Sequence, residues 1–561
     1  MANVAAEKRE EFRADYQTFL DATRQFYTGE MDAKTYKGIS GGFGSYAQRG
    51  AEHSMLRLRF TGGRVNREAL HFLAEAVRRY AVKRVHFTTC QSVQFHDLDK
   101  DAVCALALEA LEHGIITRGG GGDFPRNVMV SPRSGVEPEE YFDVLPYARA
   151  AADYLLGFIH GPKLPRKLKV GFSNSPANLT HATFRDLGFA ARSDGRFDVY
   201  SAGGLGNNPL FGVKVAEGVL PQDILYYIEA MHRLFLAHGN YENRAKARTR
   251  YMQEALGGTE NYRKAFLAEL EAVRGEEIDL RIPAPQVQSD AVDDGGESRH
   301  AMRENTETGA KACAGTKAEV GAQTETKAGA EAVQAQAWAA LLQNSRVLPQ
   351  KQQGLCTVVY HPMGGCPAPG LFEKLEGLLG DMPEVALALA PDESLYFLNC
   401  GEQEAKRLLS ETQDSAKTAF SASVACIGSS VCQQGLRDSQ ALLLRLCEME
   451  QAEGFADGVL PKLHISGCPS SCGTHQIGTV GLRGASKKVN GQQREAFQLS
   501  FGGRDTQGAE RMGEVLGILS EEELVDCFRK LGRMVTESGL SFQAWNEREP
   551  EVFRQLAEAY L

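Results

Sequence analysis

In the run Met55-Leu-Arg-Leu-Arg-Phe60, Leu56, Leu58 and Phe60 alternate with Arg57 and Arg59. A period of two predicts a strand with one apolar and one basic face. Gly62-Gly63 supplies a turn, Asn66 a helix cap, and Leu70, Leu73, Ala74, Val77 and Tyr80 recur at helical spacing. Further strands are predicted at Arg84-Val-His-Phe-Thr-Thr89 and Val93-Gln-Phe-His96, giving a mixed unit of strand, helix and strand. Residues 126–280 read as a larger mixed unit with strands at Asn127-Val-Met-Val130 and Leu168-Lys-Val-Gly-Phe172. The loop Gly203-Gly-Leu-Gly-Asn-Asn-Pro209 follows, and helical segments are expected over 222–237 and 243–272.

The pattern then starts again. Cys356-Thr-Val-Val-Tyr360, Leu371 to Leu379 and Glu393-Ser-Leu-Tyr-Phe-Leu398 repeat the strand, helix, strand order of residues 55–96. Lys169-Val-Gly-Phe-Ser-Asn-Ser-Pro176 lies over Lys462-Leu-His-Ile-Ser-Gly-Cys-Pro469 without gaps at an offset of 293, which also sets Gly188 on Gly481. Two echoes in one order point to an internal duplication. In that register Ser175 faces Cys468 and Leu179 faces Cys472, so only the second copy carries the thiols.

Between Pro283 and Ala337 there is no Leu, Ile, Phe, Trp or Tyr. Such a segment cannot offset its ordering entropy and is expected to be a disordered linker or insertion. The expected divisions are an N-terminal helical arm (1–36), a first half-domain (37–115), a first larger mixed domain (116–280), the linker (281–337), a second half-domain (338–412) and a second larger domain (413–561). The arm reads as polar and suited to docking. A length of 561 residues with 43% hydrophobic and 24% charged residues suits a soluble chain of several units. No apolar run reaches membrane-spanning length, and Met1 to Tyr16 has no signal-type core, so the cytoplasm is expected. The net charge of −10 gives no reason to expect nucleic acid or an anionic membrane as partner.

Twelve cysteines without a secretion signal suggest thiols and metal ligands rather than a disulfide framework. Ala425-Cys-Ile-Gly-Ser-Ser-Val-Cys432 and His464-Ile-Ser-Gly-Cys-Pro-Ser-Ser-Cys-Gly-Thr-His475 stand out. Five residues separate Cys426 from Cys432 and three separate Cys468 from Cys472. Zinc knuckles are generally tighter and sit in small domains, so this spacing fits a [4Fe-4S] cubane better than zinc or unligated thiols. Gly467, Pro469 and Gly473 suit the close backbone approach such a centre needs.

Taken in order, several stretches resemble the sirohaem-dependent sulfite and nitrite reductases. They are Gln48-Arg49, Met55 to Arg59, Thr88-Thr89 through Gln94-Phe-His96, Arg126-Asn-Val128, Pro165-Arg-Lys-Leu-Lys169, Gly203 to Gly206, Asn243-Arg-Ala-Lys-Ala-Arg248, Pro349-Gln-Lys-Gln352 and both cysteine pairs. The resemblance implies an α+β, internally duplicated fold. Two ferredoxin-like half-domains and two mixed α/β domains would be arranged about a pseudo-two-fold axis. It implies that Cys426, Cys432, Cys468 and Cys472 hold a [4Fe-4S] cluster, with Cys472 also the axial ligand of sirohaem. Arg59, Arg126, Lys167 and Lys169 would bind the anion and deliver protons. Lys167 and Lys169, two apart on a predicted strand, would project from one face. Arg49, Gln94, Asn207, Gln350, Lys351 and Gln352 are candidate sirohaem contacts, and His96 would extend the polar network.

The chain departs from the family where Cys90 and His86 stand in positions that commonly hold Arg, and where Ser470 replaces a common Asn. The expected activity is six-electron reduction of sulfite to sulfide, extending to nitrite, because nitrite-reducing relatives tend to carry Asn at the second lysine. A nitrite reductase, a corrin-pathway oxygenase and a metal-stabilised binding protein are the alternatives. No flavin or nicotinamide fingerprint is evident, since Gly203 to Gly206 lacks the required context. Electrons would come from ferredoxin or a separate flavoprotein.

Overall fold

The computed structural model describes residues 6–283, 335–489 and 491–561, so most of the expected linker lies outside the described residues. The α+β expectation is met by four sheets that form two related pairs. The first runs Ser45–Ala47, Ser54–Arg59, Ser92–Leu98, Arg84–Phe87, all antiparallel. Its repeat runs Val347–Pro349, Cys356–Tyr360, Leu395–Cys400, Ala386–Leu389 in the same order. Counterparts stand 302 residues apart, as Ser54 and Cys356 do. The short strand Arg64–Val65 of the first copy adds itself to the edge of the second sheet, pairing Val65 with Leu387. The apolar stripes of helices Arg67–Arg79 and Leu371–Leu379 meet between the sheets, and Leu56, Leu58 and Phe95 share one core with Leu375, Val358 and Phe397.

The larger domains repeat a different sheet. Met129–Val130, Val170–Ser173 and Leu187–Ala191 are parallel neighbours, continued by antiparallel Phe197–Ser201 and Val213–Val219. Val424–Ala425, Leu463–Ser466, Val480–Val489, Gln492–Phe501 and Glu514–Ser520 do the same. Each sheet packs its own core against helices.

The backbone records the duplication more sharply than the side chains. Asn178 (φ 49°) and His181 (φ 56°) are left-handed, and so are Ser471 (φ 54°) and Thr474 (φ 57°), 293 residues later. Gln91 and Asp97 (φ 54° and 60°) have counterparts in Glu393 and Asn399 (φ 68° and 62°) at the 302 offset. Left-handed non-glycine residues cost about 1–3 kcal/mol, so their matched recurrence marks one shared chain path. A Cβ on Gly188 would strike the Ala182 carbonyl, and one on Gly481 the carbonyl of His475, again 293 residues on.

Three expectations change. Helix Ala6–Tyr27 is less an arm than part of the first core, because Phe12, Tyr16 and Phe19 form a buried stripe on an otherwise charged helix. The segment 243–272 is broken: Gly257 (φ 84°) and Gly258 (φ 109°) separate Tyr251–Ala255 from Thr259–Gly275. The second strand of the 126–280 region begins at Val170, with Leu168 held extended by a bridge to Pro125 rather than by a ladder.

Candidate functional site

The substrate-type cations come together at a run of four glycines, Gly119 to Gly122. Arg57 and Arg126 both donate to the Gly120 carbonyl, at 2.6 and 2.7 Å, and Arg126 also reaches Gly122 at 2.8 Å. Arg59 donates to the Arg118 carbonyl at 2.7 Å. Neutral carbonyls fix these guanidinium groups without cancelling their charge. Burial, aided for Arg59 by Arg126, lowers Arg59 and Arg126 each to about 10.

The bridge at Leu168 sets Lys167 and Lys169 on one side of the extended chain. Buried Asp186 anchors this segment, accepting from the Lys169 amide at 2.9 Å and from Arg248 at 3.0 Å. Lys167 is depressed well below an ordinary lysine by burial, then by Lys169, Arg248 and Arg126. The Lys169 ammonium donates to the Cys90 sulfur at 3.2 Å. Cys90 is the largest influence on Lys169 and raises it, but burial with Arg185 and Arg248 leaves it below its ordinary value. In return Lys169 and Arg185 outweigh the burial of Cys90 and bring its thiol down to about 6.

The cysteine loops meet this cluster directly. Thr89 donates its hydroxyl to the Cys472 carbonyl at 2.9 Å. Cys472 is exposed as a residue, while its thiol is raised by desolvation. Lys167, Cys468 and Cys432 all act on that thiol. Cys426 is pushed up to about 12 by burial and then by Cys472. Cys472 is thus within electrostatic reach of the other three thiols, although among the described residues no three such groups are gathered as they would be around a single ion. The Gly467 amide donates to the Cys426 sulfur at 3.2 Å, as cluster-bound thiolates require.

Several buried polar atoms of this region make no hydrogen bond: both ring nitrogens of His86, whose Nε2 stands 3.7 Å from the Glu393 carboxylate, Nδ1 of His96, and Nε of Arg126 and Arg248. Gln94, with its amide turned to satisfy both neighbours, accepts from Arg57 at 2.9 Å and donates to His96 at 3.1 Å. Unspent donors fit a large polyanionic macrocycle.

Other expected contacts lie elsewhere. Arg49 clamps the first cysteine loop, donating to the carbonyls of Ser429 (2.6 Å) and Gly435 (2.8 Å). Gln350 is bound to Thr357 (2.9 Å), Lys351 to Glu140 (2.6 Å) and Gln352 to the Gly135 carbonyl (2.9 Å). Lys351 and Gln352 fasten the second half-domain to the 135–140 loop, while Gln350 bonds within its own half-domain. Asn207 has its carbonyl held by Arg250 and lines a separate cavity. Arg57, Arg185 and Arg248 were not singled out as site residues from sequence, and Cys90 stood out only as a departure from the family pattern. The four consecutive glycines and the Arg-x-Arg spacing of Arg57 and Arg59 were the available signals.

Comparison with known proteins bears on this site. Residues 46–113 match the nitrite/sulfite reductase ferredoxin-like half domain, and residues 121–273 match the nitrite and sulphite reductase 4Fe-4S domain. The chain belongs to the nitrite and sulfite reductase family. The second match covers the copy without thiols, and Cys426 to Cys472 lie in its repeat. The ferredoxin–nitrite reductase of Synechococcus elongatus is 24% identical over 498 residues, 85% of each chain. Sulfite reductase [ferredoxin] 1 of Mycolicibacterium paratuberculosis is 22% identical over 526 residues, 89% of this chain and 83% of that protein. The solved structure of the Mycobacterium tuberculosis NirA protein shares the fold, with a TM-score of 0.72 and 20% identity over 98% of this chain and 97% of that one. The cofactors of the family member described here are sirohaem and a [4Fe-4S] cluster, and it is an oxidoreductase acting on nitrite or sulfite.

Proposed function

We propose that this enzyme reduces sulfite to sulfide in a six-electron reaction, and that nitrite is its secondary substrate. What supports this reading is that Lys167 lies within electrostatic reach of Lys169, Arg126 and the Cys472 thiol, with Arg59 in turn beside Arg126. Deprotonated sulfite carries two negative charges and nitrite one, so a pocket with two ammonium groups as well as two guanidinium groups favours the dianion.

Cys426, Cys432, Cys468 and Cys472 would hold the cluster, and Cys472 would also ligate the haem iron. When bound, this joined centre supplies electrons to the anion. The protein's own residues do the rest. Arg59 and Arg126 stay charged near neutral pH and stabilise the oxygens on which charge builds. Lys167, depressed by burial and by its cationic neighbours, is a stronger acid than an exposed lysine and is the first proton donor to a departing oxygen. Lys169 exchanges its partner, leaving the Cys90 sulfur for the incoming anion. His86, His96, Arg57 and Gln94 would meet the haem carboxylates where other members use arginine. Ferredoxin, named for both relatives, is the proposed electron donor.

Turnover of sulfite and nitrite compared side by side with a reduced viologen dye tests the reading. Higher kcat/KM on sulfite is expected, and a far larger value on nitrite would reverse the order.

A further inference from the structure

A cavity of about 510 Å³ opens between the loop Gly206 to Pro209 and the exposed face of the C-terminal sheet. Its walls include Arg483, Gln498, Ser500, His475 and Met512, and none of the cysteines or of the four cations assigned to the anion lines it. No Asp or Glu lines it either, in a chain whose acids outnumber its bases 72 to 62. Among the described residues Arg483 has no hydrogen bond or ion pair, and its Nε is buried without a partner. His475 is 5% exposed, and its Nδ1 also lacks a partner. A guanidinium edge buried without a partner is costly unless something arrives to pair with it.

The duplication provides an internal control. In the second sheet Arg483 pairs across the strands with Gln498, and Gly481 with Ser500. In the first, the same register sets Ala190 against Asp198 and Gly188 against Tyr200. There the charged position is an acid, and it is already neutralised by Arg192 at 2.9 Å and Lys214 at 3.1 Å. The Tyr200 ring occupies the place that Ser500 leaves empty in the second copy. One face is closed on itself, whereas the other has an open volume and an unpaired cation.

We propose that this cavity is a binding site for a small organic carboxylate, separate from the site of anion reduction. Arg483 and the Gln498 amide would grip the carboxylate, and Met512, Val515 and Pro209 would cover a compact apolar body. The volume lies within the range usual for small-molecule sites. Gln476, also in the wall, donates to the Gly206 carbonyl at 3.0 Å and accepts from Ser471, which lies between Cys468 and Cys472. The occupant would thus rest against the outer side of the cluster loop.

Titration calorimetry on the full-length, cofactor-loaded protein tests this with benzoate as probe and benzamide as its uncharged counterpart. Benzoate should saturate a single site and benzamide should not. Arg483→Met should weaken benzoate at least about tenfold, with haem absorbance per iron and sulfite turnover unchanged. Gln498→Glu, which sets an acid beside Arg483 as the first copy has at Asp198, should abolish benzoate binding without removing any bulk. Equal binding of the two probes, or unaltered benzoate affinity in both variants, would overturn the proposal. Loss of haem from Arg483→Met would instead assign Arg483 to the cofactor, and would equally end the case for a separate site.

Discussion

The pair Cys90–Lys169 in the first copy and the pair Asp392–Lys462 in the second occupy equivalent places. Cys90 precedes Asp392 by 302 residues and Lys169 precedes Lys462 by 293, the offsets of their respective domains. Both lysines reach an anionic partner, at 3.2 and 3.0 Å. Asp392 is held far below the usual carboxylate range despite burial, by Lys462 and His361, so Lys462 is permanently neutralised. Cys90 is a softer, more weakly solvated partner at about 6, and a lysine bound to it can be drawn to a stronger oxyanion. Arg59 likewise has His361 as its counterpart at the same offset, and burial with Lys462 holds that histidine neutral. One geometry thus serves a site that awaits an anion and a mirror site that has been closed.

The comparison can be broken most severely at the thiols. Cys472→Ser should eliminate the haem bands and acid-labile sulfide, taking turnover to background, whereas Ser175→Cys in the equivalent position of the first copy should create no cluster. Visible spectra with iron and sulfide analysis distinguish the two. Cys90→Asp should make the working site resemble its closed mirror, lowering kcat/KM for sulfite by about 10²-fold through loss of Lys169 to the new carboxylate, with haem content retained. Lys169→Met should do at least as much.

The next contrast concerns stability. Gln91 and Glu393 are also equivalent, and Gln91 donates to the Val130 and Leu389 carbonyls, each at 2.8 Å. Gln91→Glu would set a carboxylate against those carbonyls and should cost about 3 kcal/mol in urea unfolding. Glu393 is raised well above the ordinary carboxyl value by burial, so the fold favours its protonated form. Its contribution is present at low pH and is lost as pH rises past the ordinary range, so Glu393→Gln should stabilise the protein at neutral pH.

The last contrast, confined to acid pH, is at His361. Its folded value of about 4 lies below the ordinary 6.5, so the unfolded chain binds the proton more readily between them. Stability should be full above pH 6.5 and should fall by up to about 3 kcal/mol as pH drops toward 4. His361→Gln should flatten that slope in unfolding curves taken at several pH values.

The sequence pattern made the half-domains legible because their strands alternate cleanly and their helices carry one stripe, as in Ser54–Arg59 and Leu371–Leu379. The first helix was harder to place, because three aromatics among many charges disappear in an average although their spacing is helical. The break at Gly257-Gly258 had a local signal, whereas the non-helical stretch before Tyr251 depended on distant partners: Arg248 is drawn to Asp186 and Arg250 to the Asn208 carbonyl. At the site, residue types and spacing pointed to the cysteines and the paired lysines. The pairing of Lys169 with Cys90 was not legible, since it joins residues 79 positions apart in different domains. Nor did sequence show that Arg49 and Lys351 act as fasteners between domains.

The strand Arg64–Val65 has a further bearing on how the protein is made. Its partner, Ala386–Leu389, leaves the ribosome more than three hundred residues later. Until then the first half-domain has an unpaired strand and one side of helix Arg67–Arg79 uncovered, so it cannot be completed before the second half-domain emerges. The cysteine loops, at residues 426–472, follow later still. Cofactor loading is therefore the last event in maturation, and a nascent first half needs protection from aggregation rather than a metal centre.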